Sequence, residues 1–179
     1  MEFLELARAR YSVRQYSPDP VPRTMIEKCI EAARLAPSAC NSQPWHFLVS
    51  DIPERTKEIA EIAFGGPYSM NSFASKAPVI ITVVTERSGY AARMGGFFRG
   101  VQFSLIDIGI ACEHFSLQAT EMGLGTCWYG WFNEKGVKRL LDIPRDQKID
   151  LMISLGFPSK TGIPPKKRKT LEEIFRYIG

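Results

Sequence analysis

The chain has 179 residues, 45% of them hydrophobic and 23% charged, which fits one globular domain and excludes disordered and fibrous classes. A chain of this length buries roughly 70% of its unfolded surface, so it needs neither disulfides nor a metal to hold a core. The net charge of +4 is too mild for a nucleic-acid-binding stripe; part of the excess sits in Lys166-Lys167-Arg168-Lys169, which suits a small anion better than a polyanion.

Residues 2–9 read as a short helix with Phe3, Leu4 and Ala7 on one side. A second helix is predicted over 22–35: Pro22 suits a first-turn position, and Ile26, Cys29, Ile30 and Ala33 keep the spacing of a buried face. Pro37 ends it. Short apolar runs at 46–50, 78–85 and 150–156, rich in β-branched residues, read as buried strands, with 125–129 as a fourth. Over 97–122, Val101, Leu105, Ile108, Cys112, Phe115 and Ala119 repeat with a helical period. A helix apolar around much of its girth belongs at the centre of a domain or in an interface. Thr170 and Glu173 form a capping-box signature for a last helix.

This alternation predicts an α+β (mixed α/β) layer fold in a single domain over 1–179. There is no repeat, no linker and no GxGxxG after a strand, so a Rossmann site is unsupported. Cys29, Cys40, Cys112 and Cys127 form no CxxC pair, which argues against zinc-ribbon and cluster motifs and for a reducing cytosol. Residues 1–11 mix Glu and Arg with apolar residues, so no signal peptide is read, and no apolar run reaches ~18 residues. A cytoplasmic location is expected.

Four stretches carry candidate chemistry. Arg10-Tyr11-Ser12-Val13-Arg14 sets two guanidinium groups and a hydroxyl where they can converge on one anion, since arginine's planar fork matches phosphate oxygens. By itself the triplet is more often a solvated surface. Residues 36–45, APSACNSQPW, place small and amide side chains between a helix end and a strand, with Pro37 and Pro44 restricting the backbone. The competing reading is a connecting loop with Asn41 as a turn residue. Residues 123–132, GLGTCWYGWF, combine glycines that permit close approach with aromatics that offer a flat wall; the competing reading is a core strand with Trp128 buried. Residues 164–169, PPKKRK, are by themselves most simply a solvated basic loop.

Together and in this order the four blocks resemble the nitroreductase-like family of FMN-dependent oxidoreductases. The resemblance spans Ala7 to Ile178; APSA-NSQPW is its most specific block, and residues 107–125 look like the family's central helix. It implies a central mixed sheet flanked by helices, entwined as a homodimer around that helix, with FMN at the interface. Arg10 and Ser12, with Tyr11 between them, would grip the phosphate and ribityl tail. Lys166 and Arg168 would join them on the phosphate, with Lys167 as an alternative register. Arg14 would lie near the pyrimidine end of the flavin, where positive charge favours reduction. Pro37, Ser38, Ala39 and Asn41 match the loop on the ring and ribityl chain. Tyr129 and Gly130 match a segment whose backbone amides face the flavin N5 and O4, and Asn71 is a candidate at the ring edge.

The resemblance implies electron transfer from NADPH or NADH, by ping-pong, to flat electron-poor acceptors such as nitroaromatics or quinones. The flavin N5 carries that chemistry and no side chain is assigned as catalyst; no Ser/His/Asp or paired-carboxylate set is convincing. The stretch 86–99, with Tyr90, Phe97 and Phe98 as aromatics over the flavin, is short and glycine-rich, and holds no counterpart of the acidic–tyrosine–lysine lid of iodotyrosine deiodinases. Rival readings are a dehalogenase-like or flavin-fragmenting relative, a flavin-binding module without turnover, and a nucleic-acid binder using the basic tail. His46 and His114 read as satisfied core histidines, and Cys40 and Cys127 as small buried hydrophobes near the flavin.

Overall fold

The computed structural model describes residues 2–86 and 100–179. In chain order the elements are α1 (Phe3–Ala9), α2 (Arg23–Arg34), β1 (Trp45–Ser50), α3 (Pro53–Phe64), β2 (Val79–Thr85), α4 (Phe103–Glu121), β3 (Gly125–Tyr129), α5 (Glu134–Leu140) and β4 (Lys148–Gly156). Two 3-10 segments, Ala39–Asn41 and Gly66–Lys76, lie between them. The strands form one sheet in the order β1-β2-β4-β3, and each neighbouring pair is antiparallel. An isolated parallel bridge between Ser12 and Thr126 sets the N-terminal segment beside β3.

The sheet is covered on both faces. Val79, Ile81 and Val83 of β2 pack with Ile26, Cys29 and Ala33 of α2 and with Ile108, Ala111, Cys112, Phe115 and Ala119 of α4. The alternate residues Ile80 and Val84 join Ile59, Ala60, Ala63 and Phe64 of α3, together with Val137 of α5. This three-layer arrangement explains why β2 reads as a continuous apolar run: a strand buried on both sides has no reason to alternate. It also places α4 within the core, as its apolar girth predicts, although Leu105 and Ile106 on its first turn remain exposed.

The secondary structure differs from expectation at three points. The helix beginning at 97 starts at Phe103 among the described residues. The elements α3, α5 and the 3-10 stretch 66–76 had no counterpart in the sequence reading. At the C-terminus the capping contact forms, with the Thr170 N–H donating to Glu173 Oε2 at 2.7 Å, but it closes a single turn rather than a helix. Leu171, Ile174 and Phe175 stay exposed, so no tertiary burial offsets the cost of helix nucleation.

Candidate functional site

The N-terminal segment docks against β3 through main chain and packing. The Val13 N–H donates to the Thr126 carbonyl at 2.9 Å. Gly125 is required there because a Cβ on it would fall 2.3 Å from Val13 Cγ2. Close approach at this glycine therefore serves the fold. Gly130, five residues on, has open space where its Cβ would be.

Behind this seam lies a buried trio of hydroxyls. Ser154 Oγ of β4 meets the Tyr16 hydroxyl at 2.6 Å and the Tyr129 hydroxyl at 2.8 Å, while Tyr16 donates to the Val13 carbonyl at 2.9 Å. Burial pushes both phenols well above their ordinary range, keeping them neutral donors and acceptors. The Tyr129 side chain is thus committed to the interior, leaving its backbone and that of Gly130 as what this strand end can offer. Trp128, expected in the core under the strand reading, is 37% exposed and donates its indole N–H to Ser116 Oγ at 2.9 Å. Strand alternation explains the correction, since Cys127 and Tyr129 occupy the inner face.

The loop after α2 is held by a second device. Cys40, Asn41 and Gln43 adopt left-handed φ values of 53°, 52° and 44°. Such conformations cost a non-glycine residue of order 1–3 kcal/mol and persist where surroundings enforce them. Here the Gln43 N–H donates to Ser38 Oγ at 2.9 Å and the Asn41 N–H to the Ser38 carbonyl at 3.0 Å. Asp107 of α4 accepts from the Ala39 N–H at 3.0 Å and from the Ser42 hydroxyl at 3.4 Å. Pro37, Cys40 and Asn41 are exposed, so the loop turns its outer side to solvent. Asp107 escaped the sequence reading; its one signal is a carboxylate interrupting the apolar face of a core helix.

The two ends of the chain meet at a cationic cluster. The Lys166 ammonium donates to the carbonyls of Ala7 (3.1 Å), Arg8 and Arg10, which close α1 and lack helical partners. Arg10 Nε lies 3.4 Å from Glu113 Oε1 on α4. Desolvation, then the neighbouring Arg10 and Arg168, holds Lys166 below its ordinary value, with Glu113 opposing. Glu113 is raised by desolvation against the pull of Arg10, Lys166 and His114. Glu113 offsets part of this positive charge, and an anionic ligand group would offset the remainder. Since Lys166 spends its donors on α1, Arg10 and Arg168 are the better placed to meet one.

Arg14 sits with its guanidinium carbon 5.9 Å from the centre of the Phe73 ring. It borders a cavity of about 360 Å³ lined also by Tyr11, Gln15, Lys160 and Thr161. Asn71 donates to the Trp131 carbonyl at 3.0 Å, tying the 66–76 segment to the chain just past Gly130. Ser12 lies beside Thr126, and α4 meets Arg10 at residue 113 and the 37–43 loop at residue 107, about 9 Å apart along its axis. Tyr90, Phe97 and Phe98 lie outside the described residues. His46, expected in the core, has a side chain 58% exposed and stands 3.9 Å from Glu86, because β1 is a sheet edge. His114 is satisfied, its Nδ1 3.2 Å from the Ala32 carbonyl. Burial pushes Cys29 and Cys112 up to about 12 and raises Cys127, whereas Cys40 is exposed rather than buried because its loop faces outward.

Comparison with known proteins places this geometry in context. The family model described as Nitroreductase family matches residues 7–157. A relative from Methanothermobacter thermautotrophicus with the provisional name NADH dehydrogenase/NAD(P)H nitroreductase is 34% identical over 164 residues, covering 89% of this chain and 79% of its own. Iodotyrosine deiodinase 1 of Sus scrofa is 30% identical over 196 residues, covering 97% of this chain and 67% of its own. The crystal structure of a nitroreductase family protein from Clostridium difficile 630 aligns with a TM-score of 0.81 at 28% identity, over 99% of this chain and 98% of that one.

Proposed function

The chain belongs to the nitroreductase family, and from that footing we propose that it is a single FMN-binding domain, paired as a homodimer, that oxidises NADPH or NADH and reduces flat electron-poor acceptors such as nitroaromatics and quinones. The observation that carries the reading is the meeting of the two chain ends, where Lys166 reaches the carbonyls of Ala7, Arg8 and Arg10 and so sets the basic block 164–169 against the Arg10 segment. A terminal phosphate is the ligand chemistry that such a cluster suits.

The residues present fit the cofactor. Arg10 and Arg168 would hold the phosphate, with Lys166 fixing the end of α1 beneath them. Tyr11 and Ser12 would line the path of the ribityl chain along β3, and Pro37, Ser38, Ala39 and Asn41 would flank ring and ribityl. Tyr129 and Gly130 would present backbone amides to the flavin where the strand end has open space beside Gly130, and Arg14 would supply positive charge near the pyrimidine edge. When bound, FMN supplies the redox chemistry, taking a hydride from the nicotinamide and passing electrons on; the chain supplies position, charge and dryness. Among the described residues no helix is long and apolar enough to cross a membrane, and the four cysteines are free, in keeping with a proposed cytoplasmic setting.

A second reading has its own support: the iodotyrosine deiodinase relative aligns over nearly the whole chain, which keeps a dehalogenase-like activity in view. Steady-state kinetics separate the two. The reductase reading expects parallel double-reciprocal lines for NAD(P)H and a quinone or nitroaromatic, because both compete for one flavin face. Intersecting lines contradict the shared face, and turnover confined to halogenated phenols favours the second reading. Light scattering is expected to give about twice the 20.2 kDa chain mass.

A further inference from the structure

We propose that Asp107 is a positioning residue that sets the shape of the 37–43 loop for the ring and ribityl chain of the cofactor. The inference rests on the FMN reading above and assigns the support on which that loop depends. Asp107 is only 4% exposed, and its carboxyl reaches two separate groups of the loop, the Ala39 N–H and the Ser42 hydroxyl. It lies four residues inside α4, whose N-cap is Gln102, so it does not cap its own helix. A buried carboxyl is retained where its hydrogen bonds are made, and here they cross 65 and 68 residues of sequence to one loop.

That loop needs an external tie. Its three left-handed non-glycine residues lie within Cys40–Gln43, and its internal hydrogen bonds, accepted by Ser38, Ala39 and Asn41 from Asn41, Ser42 and Gln43, join the loop only to itself. Asp107 is the bond between this strained turn and the core helix. The side chains of Cys40 and Asn41 then stay on the solvent side, where the proposed cofactor would lie. A ring seated on the loop would feel any relaxation of the turn, and the phosphate at the Arg10 end would not.

The test compares Asp107→Ser with Asp107→Asn. Serine cannot span the gap, and its hydroxyl can bond the preceding helical turn, which protects the fold. Asparagine still accepts from the Ala39 N–H, and its amide can donate to Ser42. In the apo protein, amide exchange at Ala39 should accelerate at least about tenfold in the serine variant and stay near wild type in the asparagine variant. Binding of FMN and of riboflavin should weaken by a common factor of about ten in the serine variant, and both should recover in the asparagine variant. Unchanged exchange in the serine variant overturns the anchor whatever the protein binds. Loss of FMN binding with riboflavin binding intact, or asparagine as poor as serine, overturns the assigned role. Wild-type protein that binds neither flavin fails the cofactor reading itself, and this role with it, while accelerated exchange in the serine variant would still identify the anchor.

Discussion

The seam between residues 11–16 and β3 and the C-terminal segment 160–179 form the inner and outer sides of the same candidate site, yet they are built in opposite ways. On the inner side Val13 fills the space left by Gly125, and Ser154 joins Tyr16 to Tyr129 in the interior. On the outer side Lys166 clasps the end of α1, while Leu171, Ile174, Phe175, Tyr177 and Ile178 are 50–93% exposed. The inner side supplies shape and is inseparable from the fold. The outer side supplies charge. Substitutions on the two sides should therefore be read out by different instruments, stability for one and ligand affinity for the other.

The sharpest break is expected at Gly125→Val, which forces a branched side chain against Val13. Overpacking of that kind costs about 3 kcal/mol, visible as a lowered urea midpoint. Gly130→Ala at the open end of the strand should fall within about 0.5 kcal/mol of wild type. Similar losses for the two glycines would erase the distinction between a seam and an open edge. On the outer side Arg10→Ala or Arg168→Ala should cost roughly 1.5–3 kcal/mol of FMN affinity, the scale of hydrogen bonds to charged groups. Riboflavin, without the phosphate, should bind variant and wild type alike in a fluorescence titration. Equal weakening of both ligands would remove these arginines from the phosphate.

A smaller effect tests a contact remote from both sides. Glu134 at the start of α5 is partly buried, which alone would raise its pKa, but Lys148, Lys138 and the Ile149 N–H together hold it below the ordinary value. A lowered carboxyl stabilises the fold above its unfolded pKa, and that contribution is lost as pH falls through the folded value. Glu134→Gln should therefore cost roughly 1 kcal/mol at pH 7, with the gap from wild type closing only below the ordinary glutamate value of about 4.3. A gap that stays constant through acid titration would mean that the carboxylate's charge contributes nothing.

The same division explains what the sequence disclosed. Helix α2 was legible because Ile26, Cys29 and Ala33 repeat on a face that the core does bury, and β2 because both of its faces are covered. Helix α3 was not, since its polar first half leaves Ile59, Ala60, Ala63 and Phe64 of the buried stripe confined to its second half. The capping box at Thr170 gave the right contact and the wrong element, because capping cannot replace burial. The cationic blocks at 10–14 and 164–169 are visible as composition, but that Lys166 reaches the carbonyl of Arg10 is tertiary information. Asp107 and Ser154 share that obscurity, their partners lying 25 to 138 residues away.

Anaerobic stopped-flow mixing puts the proposed FMN binding, and its reduction by NAD(P)H, to trial. Protein reconstituted with one FMN per chain is mixed with NADPH or NADH alone and followed at the flavin's visible absorbance. Bleaching is expected before any acceptor is added, with oxidised nicotinamide formed in equal amount. Protein that stays colourless after reconstitution, or bound FMN that neither nicotinamide bleaches, would contradict the proposal.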